Sequence, residues 1–434
     1  MPLSTDTTFK LFTGCLLLPI YYCKGGLYLK VIHPVCAGID IHKKSFTVAL
    51  ANTKKDGACS WQVKTFSTMQ KGILQGRQWL IENNCPTVTL ESTGKYWIPV
   101  FNHFEDYFDL TLANPRYTKT FPGNKTDPRD ARWLAELHRV GLVAASFIPP
   151  KDIRELRELT RYRSKLIKMR SSEKNRMHNS LIICNIMLSS VATDIFGLSG
   201  MSIINAMLND EDLNENSLSK LVHGKLRKKI PDLMAALDGS LSPVQKDKIR
   251  IILDNFLSLS EKIAKIELMI LEKAKPYEQF INLLCTIPGI KKTAAIVIIA
   301  EIGVDMSAFY SDKHLCSWAG VSPQNRQSAG KKKAAPSKSG NGYLTSMLVQ
   351  CANAAVKETG TWLTARFQSI QSRRGRRKAI IAICRSILTA IYHIISKKEP
   401  FREPQKTAHT SQSQEKKLIA QLQSLGYKVE KLAS

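Results

Sequence analysis

Four acidic residues stand where the sequence predicts strand ends or a helix start, and together they could bind divalent cations. Asp40 closes a first apolar strand, Glu91 directly follows the β-rich run Thr87–Leu90, and Asp127 and Asp130 open a helical pattern. Residues three apart share one helix face, so Asp127 and Asp130 should project together. Converging carboxylates repel one another unless a cation lies between them, and oxygen-only ligands select Mg²⁺ or Mn²⁺.

Two such ions about 4 Å apart stabilise the attacking and leaving oxygens of a phosphodiester displacement. Each acid also has a purely structural explanation. Asp127 could be a helix N-cap, Asp130 could favour the helix dipole, and Asp40 could cap a turn. Glu91 could be a surface acid at a strand end. The four together, in a chain with 36 acidic residues among 434, favour a metal site.

A serine beside three lysines is the second group with chemical potential. Ser328 is followed closely by the run Lys331–Lys333 in a glycine-containing segment. Neighbouring cations would stabilise the charge that develops when a hydroxyl attacks a phosphodiester. Other serines of the same segment compete for this role: Ser322, Ser337 and Ser339.

The positive charge is concentrated in the C-terminal part of the chain. The chain has 63 Lys and Arg against 36 Asp and Glu, so its formal charge is +27. Residues 313–398 hold 16 of the basic residues and a single acid, Glu358. Such a charge argues against an acidic small-molecule enzyme and indicates a polyanionic partner, nucleic acid before an anionic membrane. The expected nucleic-acid contacts are Lys331, Lys332, Lys333, Lys338, Arg373, Arg374, Arg376 and Arg377. Before them, the turn Thr286–Ile290 resembles a helix-hairpin-helix turn, in which the glycine would let backbone N–H groups approach a phosphate.

The elements that must position these groups form an α/β pattern up to residue 148. Alternating and β-rich runs predict strands and helical spacing predicts helices, giving a mixed sheet. The predicted elements are two strands within 35–50 joined by a turn at His42–Lys44, a strand Trp61–Ser67, a helix Gly72–Glu82, a strand Thr87–Leu90, a helix before Leu110, a strand Leu110–Ala113 and a helix Asp127–Leu142.

Long helices follow Pro149–Pro150. One of them carries an apolar seam with steps of 4, 3, 4, 3 and 4, formed by Ile252, Phe256, Leu259, Ile263, Ile266 and Ile270. This spacing is typical of a coiled coil that joins two chains, and a hairpin within one chain would give the same pattern. Both interpretations stay open at this stage.

The apolar segments do not indicate a membrane protein. Leu11–Cys23 is too short to span a bilayer, and Ala379–Ser396 carries Arg385 and His393, which favours a buried helix. Residues 1–28 are expected to be an upstream extension from a misplaced start. Ten cysteines without a Cys-x-x-Cys pair favour free thiols in a reducing, cytoplasmic compartment.

Several short motifs, in one order, resemble a family of bacterial insertion-sequence transposases. G-I-D-I-H-K at 38–43, L-E-S-T-G at 90–94 and N-K-T-D-P-R-D-A at 124–131 resemble its DEDD domain. I-P-G-I at 287–290, A-E-I-G at 300–303, W-A-G-V-S-P at 318–323, S-A-G-K at 328–331 and S-G-N at 339–341 resemble its second domain. The family also includes the pilin-gene invertase Piv.

The resemblance implies a fold and a set of domains. It implies an RNase H-like (RuvC-like) α/β N-terminal domain at 29–148, a helical coiled-coil segment at 149–276 and a mainly α-helical C-terminal transposase domain at 277–400. Residues 1–28 would lie outside the family pattern, and 401–434 would be a polar tail.

The resemblance also implies chemistry and partners. Asp40, Glu91, Asp127 and Asp130 would bind two Mg²⁺ or Mn²⁺ ions, and Ser328 would be the nucleophile that becomes joined to a DNA strand end. Partners would be double-stranded DNA of the element ends and target, a structured guide RNA and further copies of the chain, as a dimer or tetramer, in the bacterial cytoplasm near the nucleoid.

Two other functions remain compatible with the residues. One is a RuvC-like nuclease or resolvase in which a metal-bound water attacks. The other is a nucleic-acid-binding protein without catalytic activity.

Overall fold

A computed structural model describes residues 30–54, 58–91, 94–114, 126–323, 340–404 and 418–429. Of the short strands at 20–23, 26–29, 326–328 and 331–333 it describes the backbone. The chain divides into two compact units, residues 1–151 and 152–434. The finer division after residues 276 and 400 stays a prediction.

The first unit is built on a five-stranded mixed sheet, as the sequence predicts. Its strands are β3 (Val35–Ile41), β4 (Ser45–Thr53), β5 (Cys59–Ser67), β6 (Thr87–Glu91) and β7 (Asp109–Ala113), and they lie in the order β5-β4-β3-β6-β7. The pairs β5–β4 and β4–β3 are antiparallel, whereas β3–β6 and β6–β7 are parallel. Two further strands, β1 (Ile20–Cys23) and β2 (Gly26–Leu29), pair with each other.

Helices cover both faces of this sheet. The first face carries an apolar core with α1 (Gln70–Glu82) and α2 (Trp97–Phe104), in which Ile39, Phe46 and Leu90 are almost fully buried. Its helix α2 is the element expected before Leu110. On the other face lies α3 (Asp127–Arg139), whose contacts are with β3, β4 and β6.

Helix α3 ends three residues before the predicted Leu142, because a glycine follows its cap. Gly141 has φ +70°, its amide donates to the carbonyl of His138 at 3.0 Å, and the Leu142 amide donates to that of Leu137 at 2.8 Å. This pair of bonds is a Schellman motif, which satisfies the last free carbonyls of a helix.

Within the described residues, the second unit is helical apart from two short paired strands, β8 (Arg326–Ser328) and β9 (Lys331–Lys333). Its helices are α4 (Lys151–Ile183), α5 (Leu188–Val191), α6 (Leu198–Leu208), α7 (Glu215–Leu221), α8 (Ile230–Ala236), α9 (Pro243–Ala274), α10 (Glu278–Leu284), α11 (Lys292–Ile302), α12 (Asp312–Ala319), α13 (Gly342–Ala355), α14 (Trp362–Arg374) and α15 (Arg376–Lys397), with 3₁₀ turns at Gly224–Lys229, Lys275–Tyr277 and Met306–Ala308.

The apolar seam of α9 packs within the chain. Leu259 and Ile263 bury themselves against Leu166 of α4. Polar pairs fix an antiparallel register on either side, with Arg163 bonded to Glu267 at 2.7 Å and Lys273 to Glu155 at 2.5 Å. Of the two interpretations of the seam, these contacts favour the intramolecular hairpin.

Helix α15 is a core helix of the second unit, as expected for the apolar run Ala379–Ser396. Among the described residues it is the one helix whose length and composition would allow it to cross a membrane. Half of its apolar stretch is buried within the protein. Ile383, Ile387 and Ile391 are fully buried along it.

Shortening a seam residue should therefore destabilise the chain itself. Ile263 is 4% exposed, so Ile263→Ala should lower the free energy of unfolding by about 2–4 kcal/mol through lost burial and a residual cavity. Chemical denaturation followed by circular dichroism measures this. The control Leu268→Ala, on the same helix but 69% exposed, should stay within about 0.5 kcal/mol. Equal losses at both positions would contradict an intramolecular seam.

Candidate active site

The site begins with a backbone contact between α3 and β3. A Cβ atom on Gly38 would lie 2.4 Å from the carbonyl oxygen of Ala131 and 2.4 Å from the amide of Ala135. The Cys36 thiol, two residues earlier on the same strand face, donates to the carbonyl of Ala135 at 3.6 Å. Only glycine at position 38 lets the helix backbone lie directly on the strand.

The close packing of α3 on β3 also brings two acids, Asp40 and Asp127, near each other. Asp40 follows Gly38 by two residues on the strand, and Asp127 precedes Ala131 by four residues on the helix, so both steps advance about 6 Å in the same direction. The ligand atoms of Asp40, Asp127 and His42 all lie within 4.8 Å of one another.

The imidazole of His42 lies between the two carboxylates. Its Nε2 atom is 3.2 Å from Asp40 Oδ2 and 3.2 Å from Asp127 Oδ1. The Asp40 side chain is 8% exposed, whereas those of His42 and Asp127 are half exposed. The cluster therefore has a buried floor and an open side, which suits a cation that must also meet a substrate.

Glu91 and Asp130 are placed by the same elements. Ile39 of β3 pairs in parallel with Leu90 of β6, so the next residues, Asp40 and Glu91, stand side by side at the carboxyl ends of neighbouring strands. Both Glu91 and Asp130 are half-buried, and both acids of α3 lie in its first turn. These four residues occupy the strand ends and helix start expected from the sequence.

The capping explanation of Asp127 does not hold. The N-cap residue of α3 is Thr126, with extended backbone angles, and Asp127 is the first residue of the helix. Pro128 stands in the first turn, where its missing amide costs nothing. The Asp127 carboxylate is therefore free of a capping role and faces His42.

The sheet surface under α3 is polar, unlike the opposite face. Thr87 donates its hydroxyl to the carbonyl of Asp109 at 3.0 Å and so accepts from Nε2 of His138 at 2.8 Å. Burial, and the nearby His33, lower the pKa of His138 to about 4, so this imidazole is neutral at pH 7. It is a structural partner of the threonine.

Ser328 and the three lysines lie on the two short strands of the second unit. Ser328 pairs with Lys331 in the antiparallel register of β8 and β9. Lys338, Ser337 and Ser339 lie outside the described residues, and Ser322 is half-buried. The expected arginines flank Gly375, which has φ +79°: Arg373 and Arg374 end α14, Arg376 and Arg377 begin α15, and all four are exposed.

The glycine amide of the turn Thr286–Ile290 has a partner within the chain. Gly289 has φ +82° and packs closely on α13, and its amide donates to the carboxylate of Glu358 at 3.1 Å. One of the backbone amides of this turn is therefore bonded within the chain.

Comparison with known proteins identifies the family. Residues 37–185 match the model of the IS110-type DEDD transposase domain, and residues 281–368 match the model described as transposase IS116/IS110/IS902 family. The two matches together span more than half of the chain.

The chain belongs to the IS110 family of DEDD transposases.

Individual proteins are also similar to this chain. The pilin gene-inverting protein of Moraxella lacunata is 26% identical over 380 residues, covering 84% of this chain and 96% of that protein, and the protein of Moraxella bovis matches equally. A probable family 20 transposase of Pseudomonas aeruginosa is 21% identical over 376 residues. A fowlpox virus resolvase, solved with Holliday junction DNA, matches 22% of the chain at 18% identity with a TM-score of 0.17.

In this IS110-family transposase the acidic cluster also contains His42, which sequence reasoning missed. It stands in the motif G-I-D-I-H-K, where it was assigned to a turn between strands. Asp40 and His42 are two residues apart at the end of β3, so their side chains lie on the same face of the strand. This spacing is the sequence signal for His42.

Adding one methyl group at the helix–strand contact should disrupt the site from beneath. Gly38→Ala places Cβ against the backbone of α3, so the free energy of unfolding should fall by at least about 2 kcal/mol. Urea denaturation measures this. Gly342→Ala, whose Cβ would meet nothing within 4 Å, is the matched control and should be nearly neutral. A stable Gly38→Ala variant would show that α3 does not rest on this strand.

Proposed function

We propose that this IS110-family recombinase cuts and rejoins DNA by phosphoryl transfer that depends on divalent cations, with Ser328 as the nucleophile. The observation that carries the proposal is the convergence of Asp40, His42 and Asp127 at the end of β3 within a chain of this family. The basic residues around Ser328 support the second part, because developing charge on a phosphate needs nearby cations.

The donor set fits hard cations. Asp40 and Asp127 already hold their oxygens within binding distance of one shared point, and Glu91 and Asp130 stand beside them. Carboxylates of this kind select Mg²⁺ or Mn²⁺, and four of them suit two ions. When bound, such ions stabilise negative charge on the phosphate oxygens.

The serine chemistry conserves atoms and charge. The Oγ atom of Ser328 forms a bond to phosphorus, the bond from phosphorus to a deoxyribose oxygen breaks, and the departing oxygen takes up a proton equivalent to the one the serine loses. Attack by a DNA hydroxyl on the phosphoserine reverses the step and joins new strands. The energy of the phosphodiester is conserved throughout, so no nucleotide cofactor is needed.

The partners follow from the charge. Element and target DNA would contact Lys331, Lys332, Lys333 and Lys338 and the four arginines near Gly375. A structured guide RNA would add a second polyanion, as the family resemblance implies. We further propose a dimer or tetramer that acts in the cytoplasm beside the nucleoid.

Trapping of a covalent adduct tests the nucleophile. With Mg²⁺ and DNA bearing the element ends, the wild-type protein should give a protein–DNA adduct that survives denaturation and is resolved by gel electrophoresis. Ser328→Ala should abolish it, because no other group forms the phosphoester bond, and Ser322→Ala should retain it. Chelation of divalent cations and Asp40→Asn should each reduce its formation by at least about 100-fold.

The other outcomes separate the competing functions. Cleaved DNA with free ends and no adduct, unchanged in Ser328→Ala, would indicate a nuclease that uses water. Retention of every activity by Asp127→Asn and Asp130→Asn would indicate a nucleic-acid-binding protein without metal-dependent catalysis.

The arginines near Gly375 should govern the salt dependence of DNA binding. Each phosphate contact adds about 0.9 to the slope of log affinity against log salt, so Arg374→Gln with Arg377→Gln should lower that slope by about 2. Fluorescence anisotropy across a salt series measures it. Lys262→Gln with Lys265→Gln, two exposed bases of α9, is the control of equal charge. An unchanged slope in the arginine variant would remove these residues from the DNA interface.

A further inference from the structure

We propose that Glu301 is a positioning residue that holds the serine loop, residues 321–340, in place through Asn341. The proposal rests on the assignment of Ser328 as the nucleophile, and it concerns residues outside both the acidic cluster and the basic set. A network around the buried carboxylate of Glu301, formed with Arg157, Arg161 and Asn341, carries it.

Glu301 is a carboxylate in an apolar setting. It stands near the end of α11, a helix whose other inner residues are Ala and Ile, and it is 0% exposed. A buried charge of this kind is costly unless it is paired and fully hydrogen-bonded.

Two arginines of α4 supply that pairing. Arg161 donates from Nε and Nη2 to the two carboxylate oxygens of Glu301, at 2.8 and 2.7 Å. Arg157 donates to the backbone carbonyls of Ala300 and Glu301, at 2.9 and 2.7 Å. Its Nε atom is also 3.7 Å from Glu301 Oε2. The carboxylate is therefore fixed in orientation.

Asn341 uses both ends of its amide. Its Nδ2 atom donates to Glu301 Oε2 at 2.6 Å, while its Oδ1 atom accepts from the amides of Tyr343 and Leu344, both at 3.1 Å, and so caps α13. Asp could cap the helix but would repel Glu301, and Ser could cap it but is too short to reach Glu301. The position demands asparagine.

The network lies where the serine loop joins the helical unit. Gly340 packs so closely on the end of α12 that a Cβ atom would lie 2.3 Å from Ala319, and the Thr345 hydroxyl donates to the Ala319 carbonyl at 2.9 Å. At the other end of the loop, Val321 is buried and its amide donates to the carbonyl of Cys316 at 3.1 Å. Both ends of the loop are therefore anchored at one place.

Stability alone does not account for an ion cluster at this point. Well-packed apolar residues of similar volume often replace buried ion pairs without loss of stability, and sometimes with a gain. What an apolar side chain lacks is a directional bond to Asn341. Because an error of about 1 Å in a reacting group can cost about 100-fold in rate, this bond would matter for a nucleophile on the loop.

Variants of the pair test the proposal. Asn341→Ser keeps the helix cap and leaves Glu301 with both arginines, so it should fold, and Glu301→Gln removes the charge. Asn341→Asp also keeps the helix cap, but it places a second carboxylate beside Glu301 and so adds repulsion to the loss of the bond. Glu267→Gln is the matched control, since Glu267 also pairs with an arginine of α4 but lies away from Asn341.

Two measurements are made on the full-length protein. Hydrogen exchange of residues 321–345 reports the loop directly, and the rate of adduct formation reports the placement of Ser328. Asn341→Ser and Glu301→Gln should each speed exchange in this segment and slow the adduct by about 10- to 100-fold, with DNA affinity within about 2-fold of wild type. Asn341→Asp should show larger losses than Asn341→Ser, and Glu267→Gln should change neither.

The exchange measurement keeps the two proposals distinguishable. If wild type forms no adduct, the serine assignment fails, while exchange still decides whether Glu301 holds the loop. Unchanged exchange in Asn341→Ser would overturn the positioning role. Losses in Asn341→Asp no larger than those in Asn341→Ser would also overturn it, because direct contact with the Glu301 carboxylate predicts added repulsion.

Discussion

The first unit depends on one backbone contact, that of α3 with β3 at Gly38. Without a side chain at this position, the helix approaches until its carbonyl and amide groups lie where a Cβ atom would be. That approach fixes the helix along the strand as well as above it, so that the step from Gly38 to Asp40 matches the step from Ala131 back to Asp127. The distance between the carboxylates of Asp40 and Asp127 is thus set by a glycine in the strand that carries Asp40.

The second unit achieves a similar fixation with charge. Glu301 sits in an apolar helix, and its orientation comes from the guanidinium of Arg161 on a helix 140 residues away in sequence. Steric contact sets a distance, whereas a bidentate ion pair also sets a direction. The side-chain amide of Asn341 caps α13 and also bonds Glu301, and that bond forms only when the carboxylate has the right orientation. This requirement is the physical reason for the charge of Glu301 inside the core.

The sequence predicted the order of the strands and helices better than which of them pack against each other. Period-two alternation and helical spacing are local, so the strands and helices from Val35 to Arg139 followed from them, including helix α2. The seam on α9 was equally visible, but an apolar period records that a face is buried without recording what covers it. Its partner Leu166 lies about 90 residues earlier, and only the folded chain reveals it.

Sequence reasoning did not single out His42 and Glu301, and the reason is the same for both. His42 follows a strand within a polar turn, and Glu301 is one acid at the end of an apolar helix; both patterns are ordinary at solvent-exposed positions. Each gains its role from a distant residue, Asp127 in one case and Arg161 in the other. Reactive residues at the ends of strands and helices can be recognised from the local sequence. The residues that orient them are recognised only from their distances in the folded chain. Motif reasoning therefore finds the acids of such a site sooner than the residues that hold them, and the latter have to be sought among buried polar side chains.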